Sequence, residues 1–204
     1  MNRITRNDIL KKKYSSLNNT PIGPQIWGKY GWFLFHTIMN HYPFKPTVND
    51  QINIKKFVEY FSKILPCSTC RSHFKSNLEK YPLTSYILQH RERLVKWSYD
   101  IHNEVNTMLY KNPKSYDEFL VDLQKDDTKE KFELYGGKFI EYVISSYPDY
   151  LSIGERNNFL NFIIYLNKTY PAIYISGYLK KQISKPLPLF ILGSKEKLLD
   201  WFYN

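Results

Sequence analysis

Two cysteines, Cys67 and Cys70, are the residues of this chain whose type and spacing most directly suggest chemistry, and they are the only two in its 204 residues. They lie in the segment LPCSTCRSHF, three positions apart. On the first turn of a helix, thiols at i and i+3 are neighbours and can close a disulfide with modest strain. A helix N-terminus also carries partial positive charge, which stabilises a thiolate and makes one sulfur reactive. A bond that opens and closes, with one reactive sulfur, is what dithiol exchange requires. Three other readings compete. Zinc bound by Cys67, Cys70 and His73 would lack the fourth ligand of a closed tetrahedral site. A thioredoxin-like site needs a strand before the motif, whereas FVEYFSKIL has helical periodicity. An inert buried pair is the plain alternative.

Two further constellations carry polar or flat groups at helical spacing. In WGKYGWFLFHT, Trp32 and His36 lie one turn apart on one face and could line a flat heteroaromatic ligand. A core tryptophan beside a partly buried histidine is the plain reading of the same pair. In WSYDIHNEVN, His102 and Asn106 share a face with Asn103 beside them, while Trp97 and Val105 point to the apolar stripe. Polar groups within an apolar face need partners when buried, and the ribose or adenine edges of a nucleotide would supply them. A solvated face with a few amides is the alternative. The segment is not H-E-x-x-H, which excludes a metalloprotease helix.

The elements that must position these residues read as helices. Trp27, Tyr30, Gly31, Leu34 and Ile38 recur at spacings of three and four, until Pro43 and Pro46 stop the pattern. Thr47 or Asn49 can cap a second helix with the stripe Ile54, Phe57, Val58, Phe61, Ile64 and Leu65. Pro66 ends it and opens a third helix from Cys67, with Cys70, Phe74 and Leu78 on one face, which Pro82 terminates. The fourth, from Thr84 to Tyr110, aligns Leu94, Trp97, Ile101, Val105 and Met108, and the short fifth is SYDEFLVDL. A polar break over residues 124–130 precedes a second apolar pattern running from Phe132 to Leu166 and a helical tail. AIYISGYL, near residue 175, is the one β-like run. The expected fold is all-α: an arm over residues 1–20, a helical domain over 21–123, and a smaller, mostly helical domain over 128–204.

Composition narrows the partners. Hydrophobic residues at 43% and charged residues at 24% exclude wholesale disorder. No apolar run nears the ~20 residues of a membrane span, and the polar, basic MNRITRNDILKKK is no secretory signal. The net charge of +10 would suit nucleic acid or an anionic surface, but beyond short clusters such as Lys11–Lys13 and Lys180–Lys181 the basic residues are scattered. Abundant Lys, Ile and Asn beside a single alanine, Ala172, fit a codon bias toward AT-rich DNA. A basic helical nucleic-acid-binding or assembly scaffold with an incidental cysteine pair is the alternative function. It explains the charge but not the spacing of the Trp, His and Asn motifs.

Taken in order, W-G-K-Y-G-W with its following His-Thr, then Y-P, a helix, P-C-x-x-C and the W-to-H-N-x-V-N segment resemble the Erv/ALR family of FAD-linked sulfhydryl oxidases over residues 22–122. Composition and the second domain are most similar to members encoded by giant DNA viruses such as mimivirus. The resemblance implies a four-helix bundle plus a short fifth helix holding FAD, commonly as a homodimer. It implies thiol-bearing protein substrates, oxygen as acceptor and hydrogen peroxide as product, with no need for nucleic acid or membrane. Cys67 and Cys70 match the redox pair, Cys70 as the sulfur nearest the flavin and Cys67 as the one that exchanges with incoming thiols. Gly28, Lys29, Trp32 and His36 match the flavin-contacting helix, and His102, Asn103, Val105 and Asn106 the adenine side. Lys111 and Tyr116 fall where the family has Lys and an aromatic residue. Three departures stand out: Tyr99 replaces a cysteine of the family's structural disulfide, Leu65 replaces an aromatic, and no second shuttle pair exists in these residues. The expected setting is a host cytoplasm or a virion. The second domain is expected to serve recognition or dimer packing, so that a fragment lacking residues 128–204 keeps its flavin and oxidises dithiothreitol.

Overall fold

The computed structural model describes residues 23–204, and the expected N-terminal arm lies outside the described residues. Within them the chain forms eleven α-helices and one 3-10 turn, with an isolated bridge between Tyr150 and Ser194 as the sole β pairing. Proline in the first turn starts α1 (Pro24–Asn40), where its missing N–H costs nothing. A reciprocal cap starts α2 (Val48–Ile64): the Asp50 N–H donates to the Thr47 hydroxyl, and the Thr47 N–H donates to the Asp50 carboxylate. Next come α3 (Ser68–Lys80), α4 (Ser85–Leu88), α5 (Arg91–Met108) and α6 (Tyr116–Asp126), the last opened by a Ser115–Glu118 capping box. The second half contains α7 (Lys129–Ser145), α8 (Ile153–Lys168), the 3-10 turn Ala172–Tyr174, α9 (Tyr178–Ile183), α10 (Leu189–Leu192) and α11 (Lys195–Tyr203). No helix among the described residues is long and apolar enough to cross a membrane.

Three expectations change. The single fourth helix is two, because the Tyr42 hydroxyl takes the Leu88 carbonyl, Arg91 Nε donates to the Tyr42 carbonyl, and His90 turns extended to open α5. AIYISGYL is not a strand: Ala172–Tyr174 form a 3-10 turn, Gly177 is the extended N-cap of α9, and burial falls at every third residue, Pro171, Tyr174 and Gly177, instead of every second. The polar break contracts to Asp127 and Thr128, since α6 runs through Asp126 and Thr128 caps α7. Asp127 is itself gripped by Asn40, His41 and the Tyr174 hydroxyl, which ties this joint to α1 and to the 3-10 turn.

The two halves meet along their helices. α7 packs on α1 and α8 on α2, while α5 lies on another side of α1. Their buried apolar side chains form one cluster reaching from Trp27 to Phe202, centred on rings such as Phe35, Phe61, Phe139 and Phe162. Phe61 and Phe139, from opposite halves, have ring centroids 5.2 Å apart. Close approach of α7 to α1 depends on Gly31, where an added Cβ would come within 2.9 Å of the fully buried Phe139 ring. Gly31→Ala would gain about 1 kcal/mol of helix propensity but incur an overpacking cost of about 1–3 kcal/mol. The expected net effect is a lower urea midpoint; an unchanged or higher midpoint would show that Phe139 yields.

Candidate active site

Pro66 ends α2's continuation, and Cys67 follows it as the N-cap of α3 in extended conformation. Its Sγ accepts the Cys70 N–H at 3.2 Å, so sulfur takes the place of the usual capping oxygen. Cys67 and Cys70 are joined as a disulfide with Cα atoms 5.1 Å apart, and both are partly buried. The first turn of α3 holds no acidic residue, which leaves its positive end for the sulfurs. Cys70, but not Cys67, lines a cavity of about 890 Å³.

Five helices and a loop build that cavity, which is at the size of a large-ligand site. From α1 come Gly28, Lys29, Trp32, Phe33 and His36; from α3 Cys70, His73 and Phe74; from α5 His102, Asn103, Val105 and Asn106. An added Cβ on Gly28 would meet nothing within 4 Å, so the backbone there borders open space. The Trp32 ring is stacked on His102 at 4.0 Å and on His36 at 5.5 Å. α5 then ends in a Schellman turn: Lys111 N–H donates to the Asn106 carbonyl and Tyr110 N–H to the Thr107 carbonyl, with Tyr110 in the left-handed region at φ 54°. That turn carries Lys111 back to the cavity wall.

The histidines form a chain whose tautomers follow from donor accounting. The Ser98 hydroxyl donates to the Val95 carbonyl at 2.8 Å, so its oxygen accepts from His36 Nδ1–H at 3.1 Å. His36 Nε2 therefore accepts from His102 Nδ1–H at 2.8 Å, which leaves His102 Nε2 a lone-pair acceptor. Burial, with the nearby His102, holds His36 well below the ordinary imidazole range. Burial, reinforced by Lys111 and Lys114, depresses His102 from 6.5 to about 4. Because both folded-state values are lowered, the unfolded chain binds more protons below pH 6.5, and stability falls as pH drops from 6.5 toward 4. His102 alone accounts for on the order of 3 kcal/mol across that window. Urea midpoints at pH 7 and pH 4.5 should differ accordingly, and His102→Asn should shrink the difference; an equal drop in the variant would contradict the assignment.

Of the residues singled out in sequence, Gly28, Lys29, Trp32, His36, Cys70, His102, Asn103, Val105, Asn106 and Lys111 share this cavity. Cys67 lies just outside it, bonded to Cys70, and Tyr116 is not on the wall. The Tyr116 ring instead stacks on Phe119, which does line the cavity, and meets Tyr99 edge-on at 5.1 Å. Tyr99, standing where the family has a cysteine, donates its hydroxyl to the Lys114 carbonyl at 2.8 Å and meets Phe119 at 5.3 Å, which clamps α5 to the start of α6 without a disulfide. The wall also holds residues that sequence reasoning did not place there: Phe33, Phe119, Asp122, Asp126, Lys131 and Tyr135 of α7, and His73, which it weighed only as a zinc ligand. His73 was legible in principle, one turn after Cys70, but Lys131 and Tyr135 reach the cavity only through the packing of α7 on α1.

Together these features define a helical dithiol protein built around a dinucleotide-sized cavity. Comparison with known proteins agrees: the Erv1 / Alr family profile matches residues 29–129. A probable FAD-linked sulfhydryl oxidase of Acanthamoeba polyphaga mimivirus is 39% identical over 119 residues, covering 58% of this chain and 83% of that protein. The FAD-linked sulfhydryl oxidase of African swine fever virus is 31% identical over 93 residues, 46% of this chain and 76% of its own. ERV2 of Saccharomyces cerevisiae, also an FAD-linked sulfhydryl oxidase, is 32% identical over 85 residues, 42% of each chain. The chain belongs to the Erv1 / Alr family.

Proposed function

We propose that this chain is an FAD-linked sulfhydryl oxidase that makes disulfides in thiol-bearing proteins and passes the electrons to oxygen, giving hydrogen peroxide. The observation that carries the reading is the division of labour in the disulfide: Cys70 lines the cavity while Cys67 does not. The cavity residues fit a flavin dinucleotide on independent grounds. Gly28 leaves a cradle that a side chain would fill, and Trp27, also on the wall, keeps its indole N–H buried without a partner. Trp32, Phe33 and Phe119 offer flat faces, and Lys29 and Lys111 offer cations for a diphosphate.

In this reading a substrate thiolate attacks Cys67 Sγ, the Cys67–Cys70 bond breaks, and Cys70 leaves with the bonding pair as a thiolate. The N-terminus of α3 stabilises that charge. A second substrate thiol displaces Cys67, which leaves the pair reduced and the substrate oxidised. FAD held in the cavity would supply a two-electron acceptor for the reduced pair, with oxygen as the terminal acceptor. Trp32 and the neutral histidine chain would hold its rings, and His102 Nε2 would be the acceptor available to a donor on it. The viral relatives support a setting in an infected host's cytoplasm or in the virion. Visible absorption of the purified protein, followed by oxygen uptake with dithiothreitol, tests the reading: a colourless protein, or a yellow one without uptake, refutes it.

A further inference from the structure

The family match ends at residue 129, yet the cavity wall continues for at least six residues beyond it, to Lys131 and Tyr135 on α7. Lys131 Nζ lies 2.7 Å from the Asp126 carboxylate at the end of α6. It is also held over two rings, Phe33 of α1 at 5.3 Å and Tyr135 at 5.2 Å, and those rings meet edge-on at 5.0 Å. The ammonium is therefore fixed at a joint of three helices, α1, α6 and α7, and its side chain is only 27% exposed.

The charge on the wall gives this joint a purpose. Among the described residues, and leaving histidines aside, the cavity is lined by Lys29, Lys111, Lys114 and Lys131 against Asp122 and Asp126. Lys114 pairs with Asp122 and Lys131 with Asp126. Both carboxylates are thus cancelled, which leaves Lys29 and Lys111 as two uncompensated positive charges. Two is the charge that the diphosphate of a dinucleotide brings in negative sign. Without Lys131 the wall would present a bare carboxylate to a dianion, and like charges in a partly enclosed site repel strongly.

We propose that α7, outside the family's shared region, completes the dinucleotide site, with Lys131 as a positioning residue that masks Asp126 and Tyr135 and Phe33 holding it there. The inference rests on the flavin reading above and adds a requirement that the family's own segment does not contain. Lys131 acts through Asp126, and that makes a two-step test decisive.

The test measures the rate at which FAD leaves the full-length holoprotein on dilution, read as the rise in flavin fluorescence, at low and at high salt. Lys131→Met should release flavin about tenfold faster at low salt, the scale of one uncompensated charge at partial exposure, and the excess should shrink at high salt. Asp126→Asn should release it no faster than the unmodified protein. The double variant, Lys131→Met with Asp126→Asn, should return to within about threefold of the unmodified rate. Urea midpoints of the same proteins separate a folding defect from a charge effect, and Lys131→Gln serves if the methionine variant does not fold. A Lys131 variant that releases flavin at the normal rate, or a double variant as fast as the single one, overturns the proposal. An unmodified protein that carries no flavin overturns the functional reading and this inference with it.

Discussion

A Cys70→Ser protein will purify with its flavin and consume no oxygen with dithiothreitol. The cavity wall loses one sulfur atom and no ring or cation, so cofactor retention survives. Electron entry does not, because serine forms no disulfide with Cys67 and offers no thiolate leaving group. Cys67→Ser will also stop turnover, but for a different reason: the entry point for substrate is gone while Cys70 stays on the cavity wall as a free thiol. The Cys67→Ser protein should therefore show a long-wavelength absorption from a Cys70 thiolate beside flavin, and the Cys70→Ser protein should not. Oxygen uptake by either variant, or the band appearing in the wrong one, would break the assignment of roles.

The second large effect concerns residues 128–204. As a separate domain this region could be deleted without loss of dithiothreitol oxidation, but the packing argues the reverse. Removing it strips Phe139 from Phe61 and Gly31, Phe162 from Phe57, and Tyr142 from Tyr30, which bares one side of α1 and α2. It also removes Lys131 and Tyr135 from the cavity. Each buried aromatic ring lost from such an interface is worth about 3–5 kcal/mol, against a total stability of about 5–15 kcal/mol. A protein ending at residue 127 is expected to collect in the insoluble fraction or to be recovered without flavin. Recovery of a soluble, yellow, active fragment would show that the bundle stands alone.

What could be read from the sequence was local. The cap at Thr47, the cysteines at the head of α3, and the one-turn spacing of Trp32 and His36 all follow from interactions between residues near in sequence. Those elements lie where expected. The helix break before Arg91 was hidden because its cause, the Tyr42 hydroxyl on the Leu88 carbonyl, spans 46 residues. Lys131 and Tyr135 were hidden for the same reason: their periodicity announces a helix face, and nothing local says which cavity that face borders. Tyr116 shows the converse failure. Motif position places it at the site, but it opens α6, and its ring is taken up by Phe119 and Tyr99 one turn short of the wall that Phe119 and Leu123 reach.

The Tyr99 clamp has a consequence for how this protein tolerates its surroundings. Both cysteines of the chain belong to the one bond that the proposed chemistry opens and closes, and the α5–α6 junction is fastened by a hydroxyl and three rings. A glutathione pool strong enough to reduce Cys67–Cys70 finds no other bond to cut. In the proposed cycle that reduction is one of the working states, and the α5–α6 clamp contains no sulfur for it to reach. On the proposed function, the fastening of α5 to α6 would thereby be independent of redox poise.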